Sequence, residues 1–305
     1  MTPARLQTFL AVVDHGSARA AAQRLSVTES AVSAALAALQ RELGVALFER
    51  HGRGLGITES GRVFADYARR ILGLIDEGMS AARESGDPER GRVRLGAVTT
   101  AGEYLVPGLL ASFRTRHPRV EVTLDVGVRD RVSALLADHR LDVVIGGRPR
   151  AGRGLTTRAT RPNALIVVAA PGTAPEPATA TWLLREPGSG TRDTTLALLD
   201  ALQWRPPTLA LGSHGAVVAS AVLGLGVTLV SADAVAGHLR QGSLQRVTVR
   251  GTPLDRPWHA VTAAAPTATA RLFLAHLTDP AAAGELAFRA RRATLTPVAP
   301  RTGEA

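Results

Sequence analysis

Cysteine is absent from this 305-residue sequence. Disulfides, thiolate metal sites and a cysteine nucleophile are therefore excluded, and the chain needs no oxidising compartment. No stretch is apolar for the length that a membrane span needs, and the N-terminus lacks a basic region followed by a long apolar core. We therefore expect a cytoplasmic protein with two or three domains, since the length allows sizeable cores.

Lysine is also absent, so all 36 basic residues are arginines, and the formal net charge is +10. A basic balance usually suggests a nucleic-acid partner. The first 90 residues, however, contain 11 arginines and 11 acids, and the remaining 25 arginines and 15 acids carry the whole excess. Charge alone therefore does not locate a DNA-binding region.

The first 60 residues nevertheless have the pattern of a winged helix-turn-helix. Apolar residues at helical spacing predict a first helix that stops at Gly16. Ser17 and Thr28 can cap two further helices, and only three residues separate the apolar cores of these two. A short, glycine-rich two-stranded wing is predicted over residues 45–57. This geometry places the third helix in the major groove of DNA.

The residues expected to contact DNA lie at the starts of the second and third helices and in the wing: Ser17, Thr28, Glu29, Ser30, Ser33, Arg50 and Arg53. The two arginines suit phosphate contacts. Glu29 cannot donate to a phosphate, so it is either an acceptor for the edge of a cytosine or a capping carboxylate in the first helical turn.

Residues 61–90 are predicted to form a linker helix and a hinge. Thr58 can cap this helix, and apolar residues at spacings of three and four indicate a coiled-coil seam for dimerisation: Phe64, Ala68, Ile71, Ile75, Met79 and Ala82. The alternative is an amphipathic helix that lies on its own domain. The segment Ser85-Gly86-Asp87-Pro88 ends it as an exposed linker would.

From residue 91 the pattern alternates between strands and helices, which indicates α/β lobes that begin with βαβ units of a parallel sheet. We assign residues 91–280 to a two-lobed domain, with lobe I at 91–162 and 266–280 and lobe II at 163–265. Residues 281–305 are expected to be a mobile tail.

The N-terminal motifs together resemble LysR-type transcriptional regulators. They are Leu6-Gln7-Thr8-Phe9, Gly16-Ser17, Ala20-Ala21-Ala22, Leu25, Thr28 to Ser33, Leu43-Gly44 and Leu47 to Arg50. The resemblance implies a ligand-responsive, DNA-binding homodimer or homotetramer, with a winged helix-turn-helix, a linker helix and a periplasmic-binding-protein-like effector domain. The chain departs from the many members that have Gln-Pro before Ala31 and a basic or long polar residue after Ser33, because it has Glu29-Ser30 and Ala34-Ala35 at these places.

Two loops are the candidate effector site. The segment from Arg185 to Arg192 joins a strand to a helix, where free backbone N–H groups favour an anion. The second loop follows the first strand of the other lobe, where α/β ligand crevices occur. The expected ligand contacts are Thr99, Thr100, Arg148, Gly188, Ser189, Gly190, Thr191 and Arg192. The alternative is that Ser189 and Thr191 only cap their helix and that Arg148 is only solvated.

Residues 102–107, 147–149 and 185–192 look like those of the branch of the family that contains CbbR and CysL. Effectors of that branch include phosphorylated metabolites and small sulfur oxyanions, which implies a small anionic metabolite as the ligand. No metal, cofactor or catalytic residue is predicted, because the Gly-x-Ser-x-Gly elbow and histidines at metal spacing are lacking. The competing hypothesis is a two-lobed solute-binding protein or enzyme.

Overall fold

The chain folds into two units in the computed structural model, which describes residues 1–51, 54–149, 154–172 and 176–291. The first unit is Met1–Arg83 with Ala137–Arg140, and the second is Glu84–Leu136 with the chain from Leu141 onward. Within the described ranges, no helix combines the length and apolarity needed to span a membrane.

The first unit begins with three helices, α1 (Pro3–His15), α2 (Ala18–Leu25) and α3 (Glu29–Leu43). The predicted caps are confirmed: Ser17 Oγ accepts from Ala20 N at 3.1 Å, and Thr28 Oγ1 accepts from Ala31 N at 3.2 Å. Gly16 ends α1 in the left-handed conformation, at φ 72°. Local capping chemistry therefore sets the spacing of the three helices.

A wing follows the helices, as predicted. Strands β1 (Phe48–His51) and β2 (Gly54–Ile57) pair antiparallel, and Gln40 Oε1 of α3 accepts from Leu47 N at 2.8 Å and from Phe48 N at 3.3 Å. The Phe9 ring is fully buried, with centroid distances of 5.5 Å to Phe48 and 5.2 Å to Phe64. These contacts fix the base of the wing on the three-helix core.

Helix α4 (Glu59–Glu84) is capped by the preceding Thr58, whose Oγ1 accepts from Gly61 N at 3.0 Å. The predicted seam is wrong in its first half, because Phe64 and Ala68 pack into the core of their own unit. The later seam residues Ile71, Ile75 and Met79 are 38–46% exposed. With Val63, Tyr67 and Leu74 of an adjoining stripe, these three residues form an exposed apolar row on α4.

The second unit starts with a short 3-10 turn at Pro88–Arg90. In chain order its further elements are β3 (Arg92–Val98), α5 (Thr99–Tyr104), α6 (Val106–Arg116), β4 (Glu121–Gly127), α7 (Arg129–Ala137), β5 (Val143–Gly146), β6 (Thr156–Arg161), β7 (Ala164–Ala169), β8 (Trp182–Leu184), α8 (Gly190–Ala201), β9 (Thr208–Ala210), α9 (His214–Val222), β10 (Thr228–Ser231), α10 (Ala232–Arg240), β11 (Gln245–Val247), β12 (Leu254–Asp255), β13 (Trp258–Thr262), α11 (Ala268–Thr278), α12 (Pro280–Ala283), a 3-10 turn (Gly284–Leu286) and β14 (Arg289–Ala290).

Lobe I is built on a six-stranded sheet in the order β14-β6-β13-β5-β3-β4. The predicted parallel βαβ pairing is confirmed for β3 with β4 and with β5, whereas β13, β6 and β14 run antiparallel to their neighbours. A buried ion pair joins β3 to the residue before β5: Arg94 Nη2 donates to Asp142 Oδ1 at 2.6 Å.

Lobe II has β7 at its centre, paired antiparallel with β10, β11 and β12, while β8 and β9 form a separate parallel pair. Two apolar clusters cover opposite faces of β7, since its side chains alternate between them: Leu165, Val167 and Ala169 face one cluster, and Ile166 and Val168 face the other. Both lobes therefore have cores of their own.

Two expected boundaries are wrong. The assignment of residues 163–265 to lobe II included β13, but all five of its residues are buried and it lies between β5 and β6 in the lobe I sheet. The tail was expected to be mobile from residue 281, but β14 pairs with β6, and Phe288 is 2% exposed in the lobe I core. Burial of Phe288 and the pairing of β14 with β6 hold the chain as far as Ala290; the tail from residue 292 lies outside the described residues.

Candidate functional site

A cleft between lobes I and II lies at the carboxyl ends of strands from both, which is where α/β folds place ligands. The space within it is about 570 Å³ when the open solvent at its mouth is included. The cleft is lined by Val98, Thr99, Thr100, Gly127, Val128, Arg129, Gly147, Asn163, Leu165, Arg185, Ser189, Gly190, Thr191, Ser231, Arg256 and Trp258.

The structure brings the two predicted loops together in this cleft. Thr99 and Thr100 begin α5 directly after β3, and Thr100 is buried. Ser189, Gly190 and Thr191 enter from lobe II at the start of α8. Hydroxyl groups and the backbone of a helix N-terminus from separate lobes therefore face one cavity.

Ser189 occupies the N-cap position of α8 but does not cap it through its side chain. The preceding Gly188 has φ +83°, a left-handed conformation that glycine adopts without strain and that turns the chain into the helix. Because Ser189 is 5% exposed and makes no capping bond, the interpretation of this serine as a simple helix cap is wrong.

Two predicted cations lie elsewhere. Arg192 Nη1 donates to Arg185 O at 2.7 Å, so this guanidinium braces the loop instead of lining the cleft. Arg148 is exposed, and neither it nor Gly188 is among the described residues that line the cleft. The expectation of a ligand contact through Arg148 or Arg192 therefore has no geometric support.

Two other arginines line the cleft, and sequence reasoning missed both. Arg129 Nη2 donates to Asp193 Oδ2 at 3.1 Å, and Arg256 Nη1 donates to the Thr194 hydroxyl. Burial and the nearby Arg129 lower the pKa of Arg256, while Asp193 raises it; an arginine nevertheless stays charged in a protein. Arg129 begins α7, two residues after the end of β4, so the rule that ligands bind at strand ends could have identified it.

A third guanidinium in the cleft wall is already neutralised. Arg185 Nε and Nη2 donate to the two carboxylate oxygens of Glu186 at 2.7 and 2.6 Å. Beside this pair, the buried His214 lies with its ring centroid 5.3 Å from that of Tyr104. Burial and, to a smaller extent, the charge of Arg185 lower the pKa of His214 to about 4, while Glu186 opposes this. The ring is therefore neutral at pH 7.

The predicted DNA-contacting surface is at the start of α3. Thr28, Glu29, Ser30 and Ser33 are exposed there, while α3 buries Val32, Leu36 and Leu39 in the core. Ser17 is half-buried and its hydroxyl caps α2. Glu29 lies in the first turn of α3, directly after the N-cap Thr28, so both interpretations of its carboxylate stay predictions. Arg53 and the side chain of Arg50 lie outside the described residues.

Comparisons with known proteins cover both units. The model of the "LysR substrate binding domain" matches residues 86–282, and that of the "Bacterial regulatory helix-turn-helix protein, lysR family" matches residues 3–62. The HTH-type transcriptional regulator CbbR of Xanthobacter flavus is 35% identical over 261 residues, which make up 81% of this chain and 78% of that protein.

Two solved structures share the fold. Full-length CbnR complexed with its target DNA has a TM-score of 0.64 at 22% identity, covering 90% of this chain and 98% of that one. The CcmR regulatory domain of Synechocystis PCC6803 in complex with 2-PG has a TM-score of 0.57 at 25% identity, covering 61% of this chain and 94% of that one. The first supports the whole two-part architecture, and the second the lobed unit.

Proposed function

This chain belongs to the LysR family of transcriptional regulators, and we propose that its response is set by a small anion bound between the two lobes. The predicted family resemblance, including that to CbbR, and the predicted fold are confirmed. The proposal concerns what the chain senses and how it holds DNA.

The observation that carries the ligand proposal is the chemistry of the cleft. Ser189, Thr100 and the first N–H groups of α8 surround a space that two guanidinium groups also reach. A helix N-terminus favours an anion by roughly 0.3–1 kcal/mol, and hydrogen bonds to charged groups contribute about 1.5–3 kcal/mol each. The relative that was solved with 2-PG supports the same kind of ligand.

The test is to titrate the purified full-length protein with inorganic phosphate, inorganic sulfate and 2-PG and to measure the binding affinity of each anion by calorimetry. We expect Thr100→Ala and Ser189→Ala to weaken binding of the preferred anion and to abolish its effect on operator affinity, while the operator affinity without ligand stays largely unchanged. Arg148→Ala is the matched control, since that side chain is exposed outside the cleft. Unchanged anion binding in both cleft variants would refute the proposed site.

DNA binding is proposed to use the exposed start of α3 for base edges, with Ser17, Arg50 and Arg53 near phosphates. Because residues 1–90 carry no net charge, affinity should depend on a few placed arginines. In gel-shift titrations with upstream DNA, Arg50→Ala or Arg53→Ala should weaken binding to all sequences and lower the salt slope by about one per lost phosphate contact. An unchanged slope would argue against phosphate contacts at these positions.

We further propose that the chain self-associates through the exposed apolar row on α4 and acts by binding, without catalysis, in the cytoplasm. A dimer would make each of these protein–DNA contacts twice, once from each copy. The assignment of residues 1–60 to DNA binding, 61–90 to the linker and the later residues to effector binding is part of the same proposal, with the lobe boundaries corrected as above.

A further inference from the structure

Arg256 lies at the hinge between the lobes. It follows β12, whose Asp255 pairs with Ala164 in the lobe II sheet, and precedes β13, whose Trp258 pairs with Arg161 in the lobe I sheet. The chain therefore crosses from lobe II to lobe I at residues 256 and 257. The opposite crossing is at residues 162 and 163, between β6 and β7.

Asn163 holds the backbone of Arg256 at this crossing. Arg256 N donates to Asn163 O at 2.8 Å, and Asn163 Nδ2 donates to Arg256 O at 2.8 Å. Ser231 Oγ of lobe II donates to the remaining Asn163 Oδ1 at 2.6 Å. Asn163 and Ser231 are 7% and 3% exposed. The side-chain donor and acceptor of Asn163 are thus both used to join the two crossing segments to lobe II.

The guanidinium of Arg256 reaches both walls of the cleft. A Cβ atom at Gly190, the first residue of α8, would lie 2.9 Å from Arg256 Nη2, and a Cβ atom at Gly147, after β5, would lie 3.5 Å from it. Gly190 belongs to lobe II and Gly147 to lobe I. The absence of a side chain at Gly190 leaves the space in which the guanidinium lies.

Arg256 also differs from the other cleft arginines in its partners. Arg129 is paired with Asp193 at 3.1 Å, and Arg185 with Glu186 at 2.6 Å. Among the described residues, the side chain of Arg256 donates to a neutral hydroxyl, that of Thr194, and has no carboxylate within salt-bridge distance. Among the described arginines of the cleft wall, Arg256 is therefore the one without a carboxylate partner, so an anionic ligand can compensate its charge.

We infer that Arg256 determines the specificity of the cleft for anions by binding the ligand's oxyanion group from the hinge, with Asn163 as a positioning residue. The inference rests on the proposed function. A planar guanidinium binds a carboxylate, phosphate or sulfate group through two parallel hydrogen bonds, which a lysine ammonium does not reproduce. A ligand held this way contacts the crossing segments themselves, so its binding bears directly on the angle between the lobes.

The first experiment measures the affinity of full-length protein for inorganic phosphate, inorganic sulfate and 2-PG by calorimetry. We expect Arg256→Gln to weaken binding of the preferred anion about 10- to 100-fold, the range for a lost hydrogen bond to a charged group. Arg256→Lys should recover only part of this loss. Arg148→Gln removes the same charge from an exposed position outside the cleft and should leave the affinity within about twofold.

The second experiment moves the guanidinium without removing it. Gly190→Ala places a methyl group against the flexible end of Arg256, whereas Gly147→Ala makes only an ordinary contact with it. We expect Gly190→Ala to weaken anion binding and Gly147→Ala to have little effect. Because Gly190→Ala acts through Arg256, it should cause no further loss in the Arg256→Gln background. Fully additive losses would mean that the methyl group blocks the ligand itself, which would refute this coupling.

A double-mutant cycle of the same kind tests whether Asn163 positions Arg256. Asn163→Ala should weaken anion binding in the natural background and have little effect once Arg256 is glutamine; an equal loss in both backgrounds would indicate general loosening and refute the positioning role. Wild-type affinity in Arg256→Gln, with a loss in Ser189→Ala, would overturn the inference and leave the proposed function standing. Failure of the natural protein to bind any of the three anions would overturn both.

Discussion

Acidification should destabilise the second unit through His214. This residue is 2% exposed, its Nε2 has no hydrogen-bond partner in the described part of the chain, and burial lowers its pKa from 6.5 to about 4. The unfolded chain binds the proton near pH 6.5, whereas the folded chain resists it until about pH 4. The free energy of unfolding therefore falls as the pH drops through this window, and it is unaffected by His214 above pH 7.

The size of the effect follows from the two pKa values. At 1.36 kcal/mol for each pH unit between them, the His214 contribution is about 3 kcal/mol once the pH reaches 4 and about 2 kcal/mol at pH 5. A loss of this size is a large part of the stability of a typical domain. His259 and His276 also have pKa values lowered by burial, so they add to the total acid sensitivity.

The assay is urea unfolding of the full chain followed by tryptophan fluorescence. All three tryptophans, Trp182, Trp204 and Trp258, lie in the second unit, so the signal reports that unit alone. The free-energy difference between the natural protein and His214→Gln should change by about 2 kcal/mol from pH 7 to pH 5, with His259 and His276 cancelling. His15→Gln, on the surface of the first unit, is the control. A difference that does not vary with pH would refute the reasoning.

Two further predictions concern the ion pair of lobe I and the surface of α4. Asp142→Asn removes the negative charge opposite the buried Arg94 and should destabilise the second unit by about 3 kcal/mol; Asp200→Asn, in a pair that is about three-quarters exposed, should cost under about 1 kcal/mol. Equal losses would contradict this account. Leu74→Asp on the exposed row of α4 should shift sedimentation toward the monomer, whereas Asp66→Ala, on the polar side, should not; an unchanged oligomer would refute association through this row.

Local features were predicted well because their causes lie within a few residues. Thr28 caps α3 through a backbone group three residues away, and Gly16 ends α1 through its own conformation. The strand ends that place Thr100 and Ser189 in the cleft follow from hydrophobic patterning. The loop sequence around Ser189 also indicated a helix N-terminus, which the structure has at Gly190.

The predictions failed where distant packing decides. Phe64 follows the helical period of a coiled-coil seam, but contact with Phe9 takes it into the core of its own unit. The strand β13 follows the lobe II strands in the sequence, yet it pairs with β5 and β6 of lobe I. Periodicity shows that a face is apolar, but it does not show which of two cores the face will join.

The sequence by itself determined the helix-turn-helix, the family and the general place of the ligand cleft, because caps, periodicity and strand ends are local signals. Only the tertiary structure decided which arginines line the cleft. Arg192 sits in one of the two predicted loops and Arg148 in the segment after β5, and both lie outside the lining. Arg129 and Arg256 line the cleft, where they donate to Asp193 and Thr194, which are 64 and 62 positions away in the chain. A guanidinium on a long flexible side chain is directed by whichever partner packing brings near, and that partner is fixed only when both lobes have folded.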